Sequence, residues 1–225
     1  MYSKKIVLDE TVRKQIRERV KAYSEKILNS GFTAEKHSNL IKFIYNTNSS
    51  PLTANNDVKL LINGEEKFPE LLKALDGAKS HIHLEYYIYE DDFTGNAIAE
   101  MLIKKAKEDV EVRFMYDDFG SHRLGKHFTK KLKENGIKTA PFYKIKWYSL
   151  ANRLNYRNHR KIIVIDGKKS FIGGINISNK YRNDTQPKHD LYWRDTHLMI
   201  DGPATFYLQY IFLFDWILSA KNNLQ

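Results

Sequence analysis

NYRNHRKIIVIDGKKSFIGGINIS, residues 155–178, sets a histidine and a lysine two positions apart at the head of an apolar run. In an extended strand, residues i and i+2 project from one face. His159 and Lys161 therefore point together, and Arg160 points away. Asp166-Gly167 is a tight-turn signal, so the stretch from Arg160 to Gly174 reads as a β-hairpin. An imidazole beside a fixed ammonium suits an anionic substrate. The lysine holds a phosphate oxygen, and the histidine attacks phosphorus or moves a proton. Asn176 adds a neutral donor for the same oxygens. Gly173 and Gly174 leave room for close approach of backbone or substrate, where a Cβ would intrude. The whole pattern, H-x-K-x4-D-x6-G-G-x-N, occurs once, and none of the other histidines has a lysine two positions on.

Working outward, strand-like segments alternate with helical ones about a dozen residues long. VKLLI (58–62), SHIHLEYYIY (80–89), VEVRFMYDD (110–118), IKTAPF (137–142) and WRDTHLMIDG (193–202) read as strands. EKFPELLKALDGAK (66–79, ending at Gly77), GNAIAEMLIKKAKED (95–109), GKHFTKKLKENG (125–136) and PATFYLQYIFLFDWILSA (203–220) read as helices. Asn63-Gly64 reads as a turn between the first strand and the first of these helices. The alternation predicts an α/β fold with a mixed, mostly parallel sheet flanked by helices. Before it, apolar residues from Ile6 to Ile27 at three- or four-residue steps predict a helix over 5–29. A second helix is expected over 34–45, and NTNSSPLTANN (46–56) reads as a linker. The expected organisation is a helical extension and linker over 1–50 and a catalytic domain over 51–225.

Composition narrows the partners. The 225 residues carry 37 Lys and Arg against 27 Asp and Glu, a formal net charge of +10, which favours phosphate-rich surfaces such as nucleic acid or an anionic membrane. With no cysteine, disulfides and thiolate metal sites are excluded. No apolar run reaches the roughly 20 residues that span a bilayer; the longest, FYLQYIFLFDWIL, is interrupted by Asp215. The N-terminus lacks the apolar core of a signal peptide.

HRKIIVIDGKKSFIGGIN (159–176) resembles the HKD signature of the phospholipase D superfamily. LEYYIYEDDFTGNAI (84–98), VEVRFMYDDFGS (110–121), RLNYRNHRKIIVIDG (153–167) and WRDTHLMIDGPA (193–204) resemble, in order, the bacterial cardiolipin synthases of that superfamily. The resemblance implies that His159 is the nucleophile of a phosphatidyl-histidine intermediate and that Lys161 and Asn176 bind the phosphate. It implies a structural role for Asp166 at the hairpin turn, and makes Asp195 the carboxylate that orients the nucleophilic imidazole. Glu85 and Asp117, near strand ends, are candidates to line the cleft. No metal or organic cofactor is implied, because Lys161 and Asn176 take the phosphate.

The sequence departs from the family pattern in two ways. Members begin with two membrane-spanning helices and carry a second HKD motif in a second half, and neither is found here. The expected activity joins two phosphatidylglycerols into cardiolipin and glycerol at the cytoplasmic membrane surface, with peripheral attachment. A homodimer or a second HKD-containing chain would supply the missing histidine. The alternatives are a dimeric single-motif phosphodiesterase acting on nucleic acid and a catalytically silent membrane-binding fragment. The family-specific segments argue for the lipid and against nucleic acid as partner.

Overall fold

The strand expected behind His159 forms as β5, Lys161–Ile165, and Ile162, Ile163, Val164 and Ile165 are all buried. The structure, a computed structural model, describes residues 18, 21–27, 35–48, 50–142, 157–185 and 192–222. The chain divides into two units, Met1–Asn56 and Asp57–Gln225.

In the first unit residues 21–27 are helical, with Ser24 and Ile27 buried. Ser24 Oγ accepts the N–H of Leu52 at 3.1 Å. Most of the helix expected over 5–29 lies outside the described residues. A 3-10 turn at Glu35–His37 leads into α1, Ser38–Asn48. Asn46, Thr47 and Asn48, expected in the linker, continue this helix. Thr47 turns its hydroxyl back to the carbonyl of Phe43 (2.8 Å), so the polar side chain is satisfied within the helix.

The second unit runs β1 (Asp57–Ile62), α2 (Asn63–Asp76), β2 (His81–Tyr86), α3 (Phe93–Lys107), β3 (Glu111–Asp117), α4 (Gly125–Glu134), β4 (Lys138–Phe142), β5, β6 (Lys169–Gly173), β7 (Thr196–Asp201) and α5 (Ala204–Asn222). The seven strands form one sheet in the order β1-β7-β6-β5-β2-β3-β4. The α/β class and the mixed sheet are as expected, but the balance of pairings is not. Only β2-β3 and β3-β4 are parallel, joined by the crossover helices α3 and α4. The other four pairings are antiparallel. Tight reversal explains part of this: Asp166 and Gly167 both take left-handed φ, 53° and 64°, and Lys168 N–H closes onto Ile165 O at 3.0 Å.

Asn63-Gly64 is not a turn between elements but the first two residues of α2. Asn63 stands at φ 58°, its N–H donating to Asp195 O (2.9 Å) and its Oδ1 accepting from Asp195 N–H (3.0 Å). Glu66 reaches back to the N–H of Ile62 (2.8 Å) and satisfies a donor at the helix start. A Cβ at Gly64 would lie 2.0 Å from the carbonyl oxygen of Tyr181, so only glycine fits.

Helices cover both faces of the sheet. On one, Phe68, Leu71 and Leu75 of α2, Ile98 and Leu102 of α3 and Phe128 and Leu132 of α4 pack with Ile82, Leu84, Phe114, Ile163 and Phe171 of the strands. Each buried side chain of this size stabilises by about 1.5–3 kcal/mol. On the other, the alternate residues Ile162 and Val164 of β5 meet Leu208 of α5. Phe212 stacks on His83 at 4.6 Å, Ser170 and Thr205 hydroxyls bond at 2.9 Å, and Gln209 bridges His81 and His83.

Candidate active site

Antiparallel pairing of β5 with β2 and β6, and of β6 with β7, fixes the place of the site. Tyr86 lies opposite Lys161, Ile162 opposite Ile172, and Gly173 opposite His197. The ends of β2 and β6 therefore meet the starts of β5 and β7 at one end of the sheet. His159 precedes β5 and is exposed. Its ring stacks on Tyr87, with centroids 3.9 Å apart and planes at 20°. Lys161 Nζ sits 5.1 Å from the centroid of the same Tyr87 ring and donates to the His159 carbonyl at 2.7 Å. Arg160 turns the other way and pairs with Asp215 of α5. Burial lowers the pKa of Lys161, and the nearby Asp195 carboxylate partly counters that effect.

The remaining sequence candidates fall in distinct places. Gly173 and Gly174 are points of closest packing. A Cβ on Gly173 would stand 2.6 Å from Thr196 O, and one on Gly174 would stand 2.1 Å from Asp195 Oδ1. Asp195 thus lies directly behind Gly174, where it accepts the N–H of Thr196 at 2.7 Å. Among the described residues no hydrogen bond joins Asp195 to the His159 ring. Asn176 is buried, its Oδ1 accepting from Ile88 N–H (3.1 Å) and its Nδ2 donating to Tyr181 Oη (2.7 Å). Asp166 is at the far end of β5 and fastens the hairpin to β2 by accepting the N–H groups of Lys79, Ser80 and His81 at 2.9, 2.7 and 3.0 Å. Burial alone would raise its carboxyl, but those three donors hold it below its ordinary value.

Glu85 and Asp117 do not line the cleft. Each is 1% exposed, because both side chains point into the protein beneath the loop that bears His159. Burial and the facing Asp215 push the Glu85 carboxyl up to about 8.

Three side chains that sequence reasoning missed complete the site. Tyr87 is the platform for His159 and Lys161. Lys67 of α2 is fully buried between the rings of Phe68 and Tyr86, 4.7 and 4.9 Å from their centroids. Its Nζ donates to the carbonyls of Ile175 (2.8 Å) and Asn176 (3.3 Å), which anchors the segment that carries Asn176. Burial lowers its pKa strongly. His197 of β7 is 1% exposed, and among the described residues neither ring nitrogen has a hydrogen-bond partner. The pairing of Lys67 with carbonyls more than a hundred positions away has no local sequence signal. The Tyr86-Tyr87 pair at a strand end was the visible hint for the platform.

His197 gives a stability prediction. Burial, then the charges of Lys67 and Lys161, hold its ring neutral down to about 2, against 6.5 for the free group. A depressed folded pKa means stability present above pH 6.5 and lost as pH falls toward 2. Wild type is expected to lose about 2 kcal/mol more than His197→Gln between pH 7.5 and 5, read from urea melts. Equal losses in both would contradict this.

Comparison with known proteins agrees with the geometry. Residues 71–192 match the family described as cardiolipin synthase, PLD-like domain. Cardiolipin synthase 2 of Bacillus cereus is 41% identical over 217 residues, covering 96% of this chain and 41% of that protein. The cardiolipin synthase of Halalkalibacterium halodurans is 44% identical over 177 residues, covering 79% of this chain and 35% of that protein. The chain thus spans about two fifths of the length of these relatives. Among solved structures, Nuc of Salmonella typhimurium, a phospholipase D family member, aligns with a TM-score of 0.55 at 18% identity, over 74% of this chain and 95% of that one. NucT of Helicobacter pylori gives 0.54 at 19%, over 73% and 98%. These two share the fold. With the HKD motif at the head of β5 and the family match running through it, the chain belongs to the cardiolipin synthase family of phospholipase D-like domains.

Proposed function

We propose that this chain is the nucleophile-bearing half of a phosphatidyltransferase that converts two phosphatidylglycerols into cardiolipin and glycerol. The observation that carries the reading is the His159–Lys161 pair held against the Tyr87 ring where β2 ends and β5 begins. A ring nitrogen of His159 attacks phosphorus, and the bond from phosphorus to the terminal glycerol oxygen breaks. That oxygen takes a proton from a second histidine and leaves as glycerol. The primary hydroxyl of a second phosphatidylglycerol then attacks the phosphatidyl-histidine and gives its proton to the same base, and the P–N bond breaks. Lys161 stabilises the charge on the phosphoryl oxygens throughout. Asn176 supports this from its anchored segment, and Asp195 biases the site electrostatically beside Lys161.

These 225 residues carry one H-x-K pair, and in this reading the second histidine comes from another H-x-K segment. Attachment is peripheral, at the cytoplasmic membrane surface. No helix among the described residues is long and apolar enough to cross a membrane. The net charge is +10, and Phe93 at the start of α3 and Phe119, Tyr192 and Trp193 on loops, all exposed, lie at the same end of the sheet as His159. Arg157 stacks over Phe119 at 4.2 Å.

The test offers the chain phosphatidylglycerol vesicles and, separately, duplex DNA. Cardiolipin with matching glycerol supports the reading, and DNA cleavage without lipid turnover overturns it. In sedimentation the protein is expected to pellet with phosphatidylglycerol vesicles, not phosphatidylcholine ones, and to leave them as salt rises to 1 M, where charges are screened within about 3 Å. Retention at that salt would show that apolar insertion, not charge, holds it.

A further inference from the structure

His159 itself is held only lightly: among the described residues its ring touches Tyr87 and its carbonyl accepts from Lys161. The residues on either side of it are held firmly. Asn158 is buried. Its N–H donates to Asp117 Oδ2 at 3.1 Å, and its side-chain amide donates to Glu85 Oε1. Its Oδ1 accepts the N–H of Arg160 at 3.0 Å. The other oxygen of Asp117 takes the N–H groups of Phe119 (3.1 Å) and Gly120 (2.8 Å), so that carboxylate is itself fixed by the loop after β3. Arg160 pairs with Asp215 of α5 and approaches Glu85 Oε1 at 3.7 Å. Two strands and the closing helix therefore converge on positions 158 and 160.

We propose that Asn158 is a positioning residue for the nucleophile: Glu85, Asp117 and the Asp215–Arg160 pair clamp it, and the clamp sets the His159 ring on Tyr87. The cluster is costly to bury, since three carboxyl groups and one guanidinium converge there. Glu85 faces Asp215 from α5 and Arg160 and Asn158 from the start of β5, with Asp117 on the far side of Asn158. Burial raises the pKa of both Glu85, to about 8, and Asp215. Glu85 then carries a proton at neutral pH, and the Arg160 guanidinium lies against both carboxyl groups. The term nucleophile rests on the function proposed above; the clamp itself rests on these contacts.

The test does not need turnover. In the full chain with isotope-labelled histidine, stacking on Tyr87 shifts the His159 ring protons upfield, and Tyr87→Leu assigns the shift. Asn158→Ala is expected to lose more than half of that upfield shift while circular dichroism shows a folded protein. Glu85→Gln keeps an acceptor for the Asn158 amide and is expected to keep the shift. Wild type is expected to show a titration step at His159 near pH 8, from Glu85, which Glu85→Gln removes. A purely structural role for Glu85 would not place such a step on the His159 signal. A folded Asn158→Ala with the full shift, or a step that survives in Glu85→Gln, would overturn the proposal. If Asn158→Ala does not fold, the Glu85→Gln titration alone decides. Absence of lipid turnover would sink the functional reading and leave this measurement intact.

Discussion

Replacing His159 with alanine is expected to lower phosphatidyl transfer by about 10³-fold or more, the scale at which enzymes respond to loss of a nucleophile. The fold should not notice. His159 is exposed, and among the described residues its side chain contacts only the Tyr87 ring, so the change in unfolding free energy should stay within about 0.5 kcal/mol. The two readouts belong together. A loss of activity with a matching loss of stability would show that the substitution damaged the scaffold. A variant with undiminished turnover would remove His159 from the chemistry altogether. Lys161→Met should fall between wild type and His159→Ala, because it removes charge stabilisation of the phosphoryl oxygens without removing the attacking atom.

The second large effect concerns the histidine that this chain does not carry. General acid-base assistance is worth roughly 10² to 10⁴ in rate. A purified monomer should therefore run slower than a complete two-motif site by about that factor. Mixing wild type with an excess of His159→Ala tests whether a second copy supplies that histidine. If two copies share one site across a two-fold axis, mutant chains poison wild-type ones beyond simple dilution. If a separate H-x-K chain completes the site, activity follows the wild-type fraction linearly until that chain is added, and then rises. A proven monomer as active as the completed site would contradict the need for a second histidine.

Much of the fold was legible because its signals are local. The apolar run after Lys161, the Asp166-Gly167 reversal and the helical spacing of Phe68, Leu71 and Leu75 are each read within a dozen residues. What was misread depends on partners far along the chain. Asn63-Gly64 carries the composition of a turn, yet it begins a helix because the backbone of Asp195, more than a hundred residues later, bonds to Asn63 on both sides. The mostly parallel sheet was inferred from strand–helix alternation, which holds only for β2, β3 and β4. After β4 the strands β5, β6 and β7 pair antiparallel with their neighbours. At the site, His159 and Lys161 were legible from their spacing. Glu85 and Asp117 were visible as strand-end acids, but nothing in one sequence told a cleft-lining acid from one buried beneath Asn158. Lys67 was the least visible, since a lysine between Glu66 and Phe68 on a helix reads as solvated until the carbonyls of Ile175 and Asn176 are seen to hold it.

The most direct measurement is to quench the chain during reaction with phosphatidylglycerol labelled in its phosphate, digest it, and map the covalent adduct. Label is expected on the peptide that contains His159, stable to base and lost in acid as a phosphorus–nitrogen bond requires, and absent from His159→Ala. Turnover with label on another residue, or with no covalent adduct at all, would contradict His159 as the nucleophile.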